Sequence, residues 1–366
     1  MVRAADSILK KMMRISETAP RPRGNHDVLD RNNRRATKSG WQKEDNKFRA
    51  KGNSLKKESP PCAKEETAKA KRPRIGLAMS AGGARGLAHV GMIQVLEENE
   101  IKIDCVAGTS MGAYVGACWS RGHNGKSLER IALSHQGRYG PWELMDLAWP
   151  FRRGLVLGNK VEKSLRKEIG DINFNQLSRP FAVSATRFDN LAPTIFAEGD
   201  VASATRASCS MPGICVPAIR DEVEYIDGGV TDPLAIKALH TLGVDKIIAC
   251  CALRDPRHKR LHLTTKRLKC SKLCTFAKFL NRKLNPFAKG NVYDIVMRAV
   301  EAAQHRVLER DLLEADVVIR PSTTRLRWYA FHEPEQYVMA GRRAAESRLD
   351  AIKALVDEPA NKRRKS

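Results

Sequence analysis

Short apolar runs closed by glycine-rich turns alternate with amphipathic stretches through the middle of the chain, whereas the first 72 residues carry no hydrophobic periodicity. The run "RIGLAM" at 74–79 has the length of a buried strand and ends in "SAGGARG", from which "LAHVGMIQVLEEN" departs at helical spacing. "KIDCVA" at 102–107 repeats the unit: a second apolar run, a turn around Ser110, and a helix "MGAYVGACWS" with small residues on its packing side. Two strand-turn-helix units in succession imply right-handed crossovers and parallel strands. "FAVSATRF" at 181–188, "KIIACCAL" at 246–253 and "DVVIRP" at 316–321 read as further buried strands. "GDVASATRASCS" reads as helical, "PLAIKALHTLG" as a helix opened by Pro233 and stopped by Gly243, and "NVYDIVMRAVEAAQHRVLERDLLEA" as a long helix. "EPEQYVMAGRRAAESRLDAIKALV" reads as one C-terminal helix with Pro334 near its start. The predicted fold class is α/β, a mostly parallel sheet covered by helices, without internal repeats.

Charge sharpens the domain organisation. Of the net +24 on 366 residues, most sits in three segments: residues 1–74 hold 21 Lys and Arg against 9 Asp and Glu, residues 254–290 hold 12 against 1, and "KRRK" ends the chain. The rest of the chain is close to neutral. The expected organisation is a disordered basic tail at 1–72, a folded domain at 73–356 with a basic insert at about 254–290, and a basic tail at 357–366. A nucleic-acid-binding fold carries its basic stripe on the folded body, so nucleic acid is expected only as a non-specific partner. The insert segment "KLCTFAKFLNRKLNPF" places Leu273, Phe276, Ala277, Leu280 and Leu284 on one helical face, the pattern of an interfacial helix facing an anionic membrane.

No run approaches the ~18 consecutive apolar residues of a spanning helix, and "MVRAADSILKKMMRIS" lacks the apolar core of a secretory signal. Nine cysteines without a regular framework suit reduced thiols, hence a cytoplasmic protein, peripheral at a membrane through its basic segments; a secreted effector with a basic tail is the other compartment compatible with the pattern. His258, His262, Cys270 and Cys274 do not have the spacing of a common zinc finger or ribbon, and no metal is expected.

Candidate chemistry concentrates at the two turns. In "VAGTSMG", Ser110 lies between Gly108 and Gly112 where a buried run gives way to a helix. Gly-x-Ser-x-Gly occurs by chance in roughly one chain in eight of this length, but a strand before it and a small-residue helix after it are what a nucleophile elbow requires. The competing reading is a serine that caps the helix. The loop "SAGGARG" fails as a dinucleotide fingerprint, because Ala81 stands in place of its first glycine and the second strand ends in Ala107 and Gly108 without an acid for the ribose. No cofactor is expected. The loop reads instead as an oxyanion hole, with the amides of Gly82, Gly83 and Ala84, joined by Met111, directed at the carbonyl oxygen of a substrate held by Ser110. His240, His305 and His332 follow the serine, but none stands in a loop after a terminal strand, where an α/β-hydrolase histidine belongs. "EYIDGGVTDP" places Asp227 before Gly228 and Gly229, which taken alone signals a turn.

Together the three motifs change that reading. From Arg74 to about Ala340 the chain resembles the compact bacterial-type patatin-like phospholipases, with "GGARG", "GTSMG" and "DGG" in the family's order and "ATRASCSMPGICVPA" and "ADVVIRPS" similar to it. The resemblance implies a three-layer sandwich and a Ser-Asp dyad, with Ser110 as nucleophile and Asp227 as its base. An aspartate with an ordinary pKa near 4 is a poor base for an alcohol, so burial is expected to raise it. Gly108 and Gly112 shape the elbow, while Gly86, Gly228 and Gly229 support the loop and the dyad. Arg85 either fixes the loop or meets a phosphate. The family usually has glycine where this chain has Ala81, a departure that is expected to be tolerated because Gly82, Gly83 and Gly86 remain. The implied reaction is hydrolysis of phospholipid or lysophospholipid acyl esters through an acyl-enzyme. The alternative from another class is a catalytically idle fold that docks a membrane or nucleic acid. Trp142, Trp149, Phe151 and Leu155 are candidates for an acyl pocket or lid, with core packing as the other reading.

Overall fold

The computed structural model of the chain describes residues 72–134, 146–148, 152–254, 291–323 and 326–358. Strand β1 (Ile75–Met79) runs through the glycine loop into α1 (Ala88–Glu98), and β2 (Cys105–Thr109) turns at Ser110 into α2 (Met111–Arg121). Helices α3 (Gly125–Ser134) and α4 (Asn159–Ile169) lead to β3 (Phe181–Arg187) and β4 (Pro193–Phe196). Then come α5 (Val201–Ser208), β5 (Ala218–Arg220), β6 (Val223–Asp227), α6 (Ile236–Thr241) and β7 (Lys246–Cys250). The described chain closes with α7 (Val292–Asp311), β8 (Val317–Ile319), α8 (Pro334–Glu346) and α9 (Leu349–Asp357).

The strands form one mixed sheet in the order β5-β6-β3-β2-β1-β7-β8, with β4 on β3 off this path. Pairings β3-β2, β2-β1, β1-β7 and β7-β8 are parallel, so β3, β2, β1, β7 and β8 point the same way. Alternation along the strands builds two different faces. Ile75, Leu77 and Met79 join Val106, Val183 and Ile248 in a bulky core beneath α1, α2, α8 and α9. Ala78, Ala107, Ala182 and Ala249 face the other way, and these small side chains let α6 and α7 settle onto the sheet through Leu239, Leu308 and Leu312. Helices therefore cover both faces, as the expected three-layer arrangement requires. The first crossovers run β1 to β2 to β3 on one side of β1, and the chain returns to its other side as β7. The glycine loop thus opens at the point where strand order reverses, the crevice in which open α/β sheets bind ligands.

Two helix boundaries differ from the sequence reading. Helix α6 starts at Ile236 and not at Pro233, because Ala235 takes a positive φ of 58° that a helix cannot include. The C-terminal segment breaks into α8 and α9 at Ser347 and Arg348. The strands β4, β5 and β6 and the helices α3 and α4 were absent from that reading. The basic stretches through residue 71, at 255–290 and at 359–366 lie outside the described residues, as do Trp142, Trp149, Phe151, the interfacial-helix pattern and the His258 to Cys274 group. Among the described residues no helix is long and apolar enough to cross a membrane.

Candidate active site

At the end of β2 the chain turns sharply, and Ser110 takes φ 54° and ψ −121° while only 7% exposed. A non-glycine residue in this region costs on the order of 1–3 kcal/mol and persists only where its surroundings fix it. The fixing groups are local and distant. Its amide donates to Ser208 Oγ at 2.7 Å, and Ser208 Oγ donates to the Ser184 carbonyl at 2.6 Å. Its carbonyl accepts the Tyr114 amide at 3.0 Å, the first turn of α2. The turn closes because Gly108 and Gly112 lie against each other. A Cβ on Gly108 would stand 2.4 Å from the Gly112 carbonyl oxygen, and one on Gly112 would stand 2.2 Å from that of Met79. The Ser110 hydroxyl makes no capping bond to α2, so the reading of Ser110 as a helix cap does not hold.

Asp227 ends β6, which pairs antiparallel with β3 in the register Ala185 to Asp227. That pairing carries its carboxyl to the elbow. It is 4% exposed, and its Oδ1 accepts the Gly229 amide at 2.7 Å. Gly228 passes so close to β3 that a Cβ would stand 2.1 Å from the Ser184 carbonyl oxygen. Burial raises the Asp227 carboxyl to about 6, and the neighbouring Ser110 hydroxyl and the Gly229 amide oppose that rise by favouring the charged form. The histidines stand elsewhere. His89 is buried with its pKa lowered to about 4 by desolvation, so its Nε2–H donates to the Ser80 carbonyl at 2.9 Å from a neutral ring. His240 meets Glu314 at 2.8 Å on the surface, and His332 lies 3.6 Å from Glu333. His305 lines a cavity with Ser110 and Asp227 and lies 3.6 Å from Glu309. Among the described residues no histidine hydrogen-bonds Ser110.

The glycine loop corrects one expectation. The Ala84 amide already donates to the Trp328 carbonyl at 2.6 Å and is not available to an oxyanion. Among the described residues the amides of Gly82 and Gly83 meet no backbone carbonyl, and Met111 opens α2, where first-turn amides lack helical acceptors. Gly83 has φ 56° and needs glycine, whereas Ala81 has no positive φ and anchors the loop through its amide to the Pro233 carbonyl at 2.9 Å. A methyl group at 81 is therefore tolerated by the backbone. Gly86 abuts the Met111 side chain. Arg85 is buried and its Nε donates to the Leu326 carbonyl at 3.3 Å, a brace on the loop.

Two cavities meet at Ser110, sharing Gly83, Ser110, Met211 and Trp328. One, of ≈ 340 Å³, is walled by Leu87, Val90, Tyr114, Leu128, Ile131 and Phe331, within the size range of ligand pockets and almost wholly apolar. The other is smaller and less apolar, with Asp227, Arg254, Glu301, Gln304 and His305 on its walls beside Leu253, Met297 and Val300. Cys118, Cys209 and Cys215 line the apolar cavity as free thiols whose pKa values burial raises, so they behave there as small apolar side chains. Leu155, the described member of the expected acyl-pocket group, is half-buried outside this lining and donates its amide to Ile214. Sequence reasoning missed Ser208, Met211 and the Ile214–Cys215 wall. All four lie inside "ATRASCSMPGICVPA", so the signal was that stretch itself.

Residues 77–240 match the family model described as patatin-like phospholipase. The chain is 32% identical over 177 residues to lysophospholipase nte1 of Aspergillus fumigatus, covering 48% of this chain and 12% of that protein. It is 33% identical over 183 residues to an uncharacterized NTE family protein of Mycobacterium bovis, covering 48% of each. The chain thus spans about an eighth of the fungal relative's length and about half of the mycobacterial one. Among solved structures, VipD from Legionella pneumophila aligns over 77% of this chain and 67% of its own at 14% identity, with a TM-score of 0.42. With all three motifs inside or bordering the matched segment, the chain carries a patatin-like phospholipase domain at residues 77–240.

Proposed function

We propose that the protein is a serine acyl hydrolase of lipid esters, acting on phospholipid or lysophospholipid through Ser110 and Asp227. The observation that carries this reading is the position of Ser110: strained, uncapped, beside a buried carboxyl, at the mouth of an apolar cavity. In the proposed reaction Ser110 Oγ attacks the ester carbonyl as its proton passes to Asp227. A base with a pKa near 6 matches an alcohol nucleophile better than an ordinary carboxylate does. The developing oxyanion is received by the amides of Gly82, Gly83 and Met111, and one such donor contributes on the order of 3 kcal/mol in a transition state. The acyl chain occupies the apolar cavity. Protonated Asp227 returns its proton to the departing alkoxide, then deprotonates water for attack on the acyl-enzyme.

The basic segments at 1–74 and 254–290 supply the charge by which the protein would sit at an anionic membrane, and vesicle sedimentation with and without salt tests that association. The hydrolase reading is tested with a fluorophosphonate probe and a soluble short-chain ester. The expected result is labelling and turnover in the wild type and neither in Ser110→Ala. A folded wild type that is neither labelled nor active would leave the docking role in its place.

A further inference from the structure

The cavity opposite the acyl side holds a cation that the reaction described above does not use. Arg254 follows β7 and lies on the wall of the smaller cavity, which Ser110 and Asp227 also line. Its Nε is buried and has no hydrogen-bond partner among the described residues. A buried guanidinium donor left unpaired costs free energy that a ligand acceptor would recover. The other charged groups on that wall do not supply the acceptor. Asp227 is engaged by the Gly229 amide and stands beside the Ser110 hydroxyl, and Glu301, solvent-exposed on the same wall, makes no hydrogen bond to the Arg254 Nε. Arg85 is tied to the Leu326 carbonyl. His305 lines the same wall.

Resting on the hydrolase reading, we propose that Arg254 binds the phosphate of the substrate's headgroup, so that the site selects glycerol esters bearing a phosphate over neutral ones. The geometry orients the substrate. With the carbonyl carbon at Ser110, the acyl chain extends into the apolar cavity and the alcohol half must leave on the other side, toward Arg254. Guanidinium matches phosphate oxygens in a planar fork of donors. A site built around a donor discriminates against an analogue that leaves the donor unpaired.

The test compares kcat/KM for a lysophosphatidic acid and a monoacylglycerol of the same acyl chain, both kept below micelle formation. The wild type should prefer the phosphate-bearing ester tenfold or more. Arg254→Gln should lower that ratio at least tenfold, with Arg254→Lys between. A wild-type ratio near one, or a ratio unchanged in Arg254→Gln, overturns the inference while the hydrolase reading stands. A wild type that cleaves neither ester and takes no fluorophosphonate sinks the hydrolase reading itself, and this inference with it. A measurement on the wild type alone guards against a misfolded variant. Glycerol 3-phosphate should inhibit monoacylglycerol hydrolysis competitively, at a concentration tenfold or more below glycerol. Inhibition no better than glycerol, or equal inhibition by inorganic phosphate, which would mark a free-phosphate site, also overturns it.

Discussion

Asp227 and Asp232 stand five residues apart in one loop, both buried, and burial raises both carboxyls above their ordinary range. Their surroundings then diverge. Asp227 lies on a cavity wall, accepts the Gly229 amide and has a serine hydroxyl beside it. Asp232 lies off both cavities, approached by the Ser184 hydroxyl and the Ala235 amide without a hydrogen bond of good geometry, and its closest charged neighbourhood includes Asp311 near the end of α7. Desolvation is the first cause at both sites, and a serine hydroxyl stands near each, so neither separates the two carboxyls. What separates them is a cavity: Ser110 and Asp227 line one in which the hydroxyl could react, whereas Ser184 and Asp232 line neither.

The sharpest way to break this contrast is to remove each carboxylate in turn. On the proposed reading Asp227→Asn and Ser110→Ala each lower kcat on a soluble ester by about 10³-fold or more, with cooperative unfolding retained. Asp232→Asn should stay within about tenfold of wild type, because the loop uses its backbone: its carbonyl accepts Thr109 Oγ1 at 2.8 Å and its amide donates to the Gly228 carbonyl at 2.8 Å. Equal loss in Asp232→Asn and Asp227→Asn, measured by initial rates, would erase the distinction. A smaller effect is expected at Ser208, which holds the Ser110 amide from 98 residues away. Ser208→Ala leaves two buried backbone groups without their partner and should lower kcat about ten- to a hundredfold, with a stability loss of roughly 1–3 kcal/mol by denaturant titration. Unchanged kcat would mean that the elbow holds its strained backbone without it.

How much of this was legible in the sequence follows from how local each feature is. The elbow is written in seven consecutive residues, because a strand end, two glycines and a helix start are all short-range. Asp227 was legible only once three motifs were read in order, since Asp-Gly-Gly alone also marks a turn. Ser208 was not legible, because nothing within its own helix requires a serine there. The assignment of the Ala84 amide failed for the same reason: its acceptor, the Trp328 carbonyl, comes from a loop beyond β8. Cavities assembled from α1, α2, α3 and the loops around Met211 and Trp328 have no single stretch of chain that announces them. Strands were recoverable where runs were uniformly apolar. The reading failed at β4, β5 and β6, which lie at the antiparallel side of the sheet and are only partly buried.

A change of pH should sharpen the contrast between the carboxyls. A base must be ionised to accept the serine proton, and Asp227 in the folded state loses its own at about 6. The rate constant kcat/KM should therefore fall on an acid limb with an apparent pKa of about 6, roughly tenfold between pH 8 and pH 5. Asp311→Asn and Asp232→Asn should leave that limb in place. A limb near 4, or one that moves with Asp232, would assign the titration elsewhere.

The smallest effect concerns stability, and it has the opposite reporter. Burial first, and then Asp232, push the Asp311 carboxyl up to about 7, while Lys237 and Arg310 pull it down and Glu314 adds to the rise. The folded state thus holds a proton that the unfolded chain has already released above an ordinary carboxylate pKa. Stability contributed by this group is fully present below about 4 and is lost as pH rises toward 7. Asp311→Asn keeps a neutral group of similar shape and removes the titration. Relative to wild type, the variant should gain on the order of 1 kcal/mol between pH 5.5 and pH 8 in denaturant unfolding. The same comparison made with Asp227→Asn should show a gain too, for that carboxyl is also raised by burial. Only one of the two gains should come with loss of turnover. If Asp311→Asn shows a pH-independent difference from wild type, the carboxyls of Asp232 and Asp311 do not share a desolvated site, and burial has a weaker hold on this side of the sheet than on the side of the nucleophile.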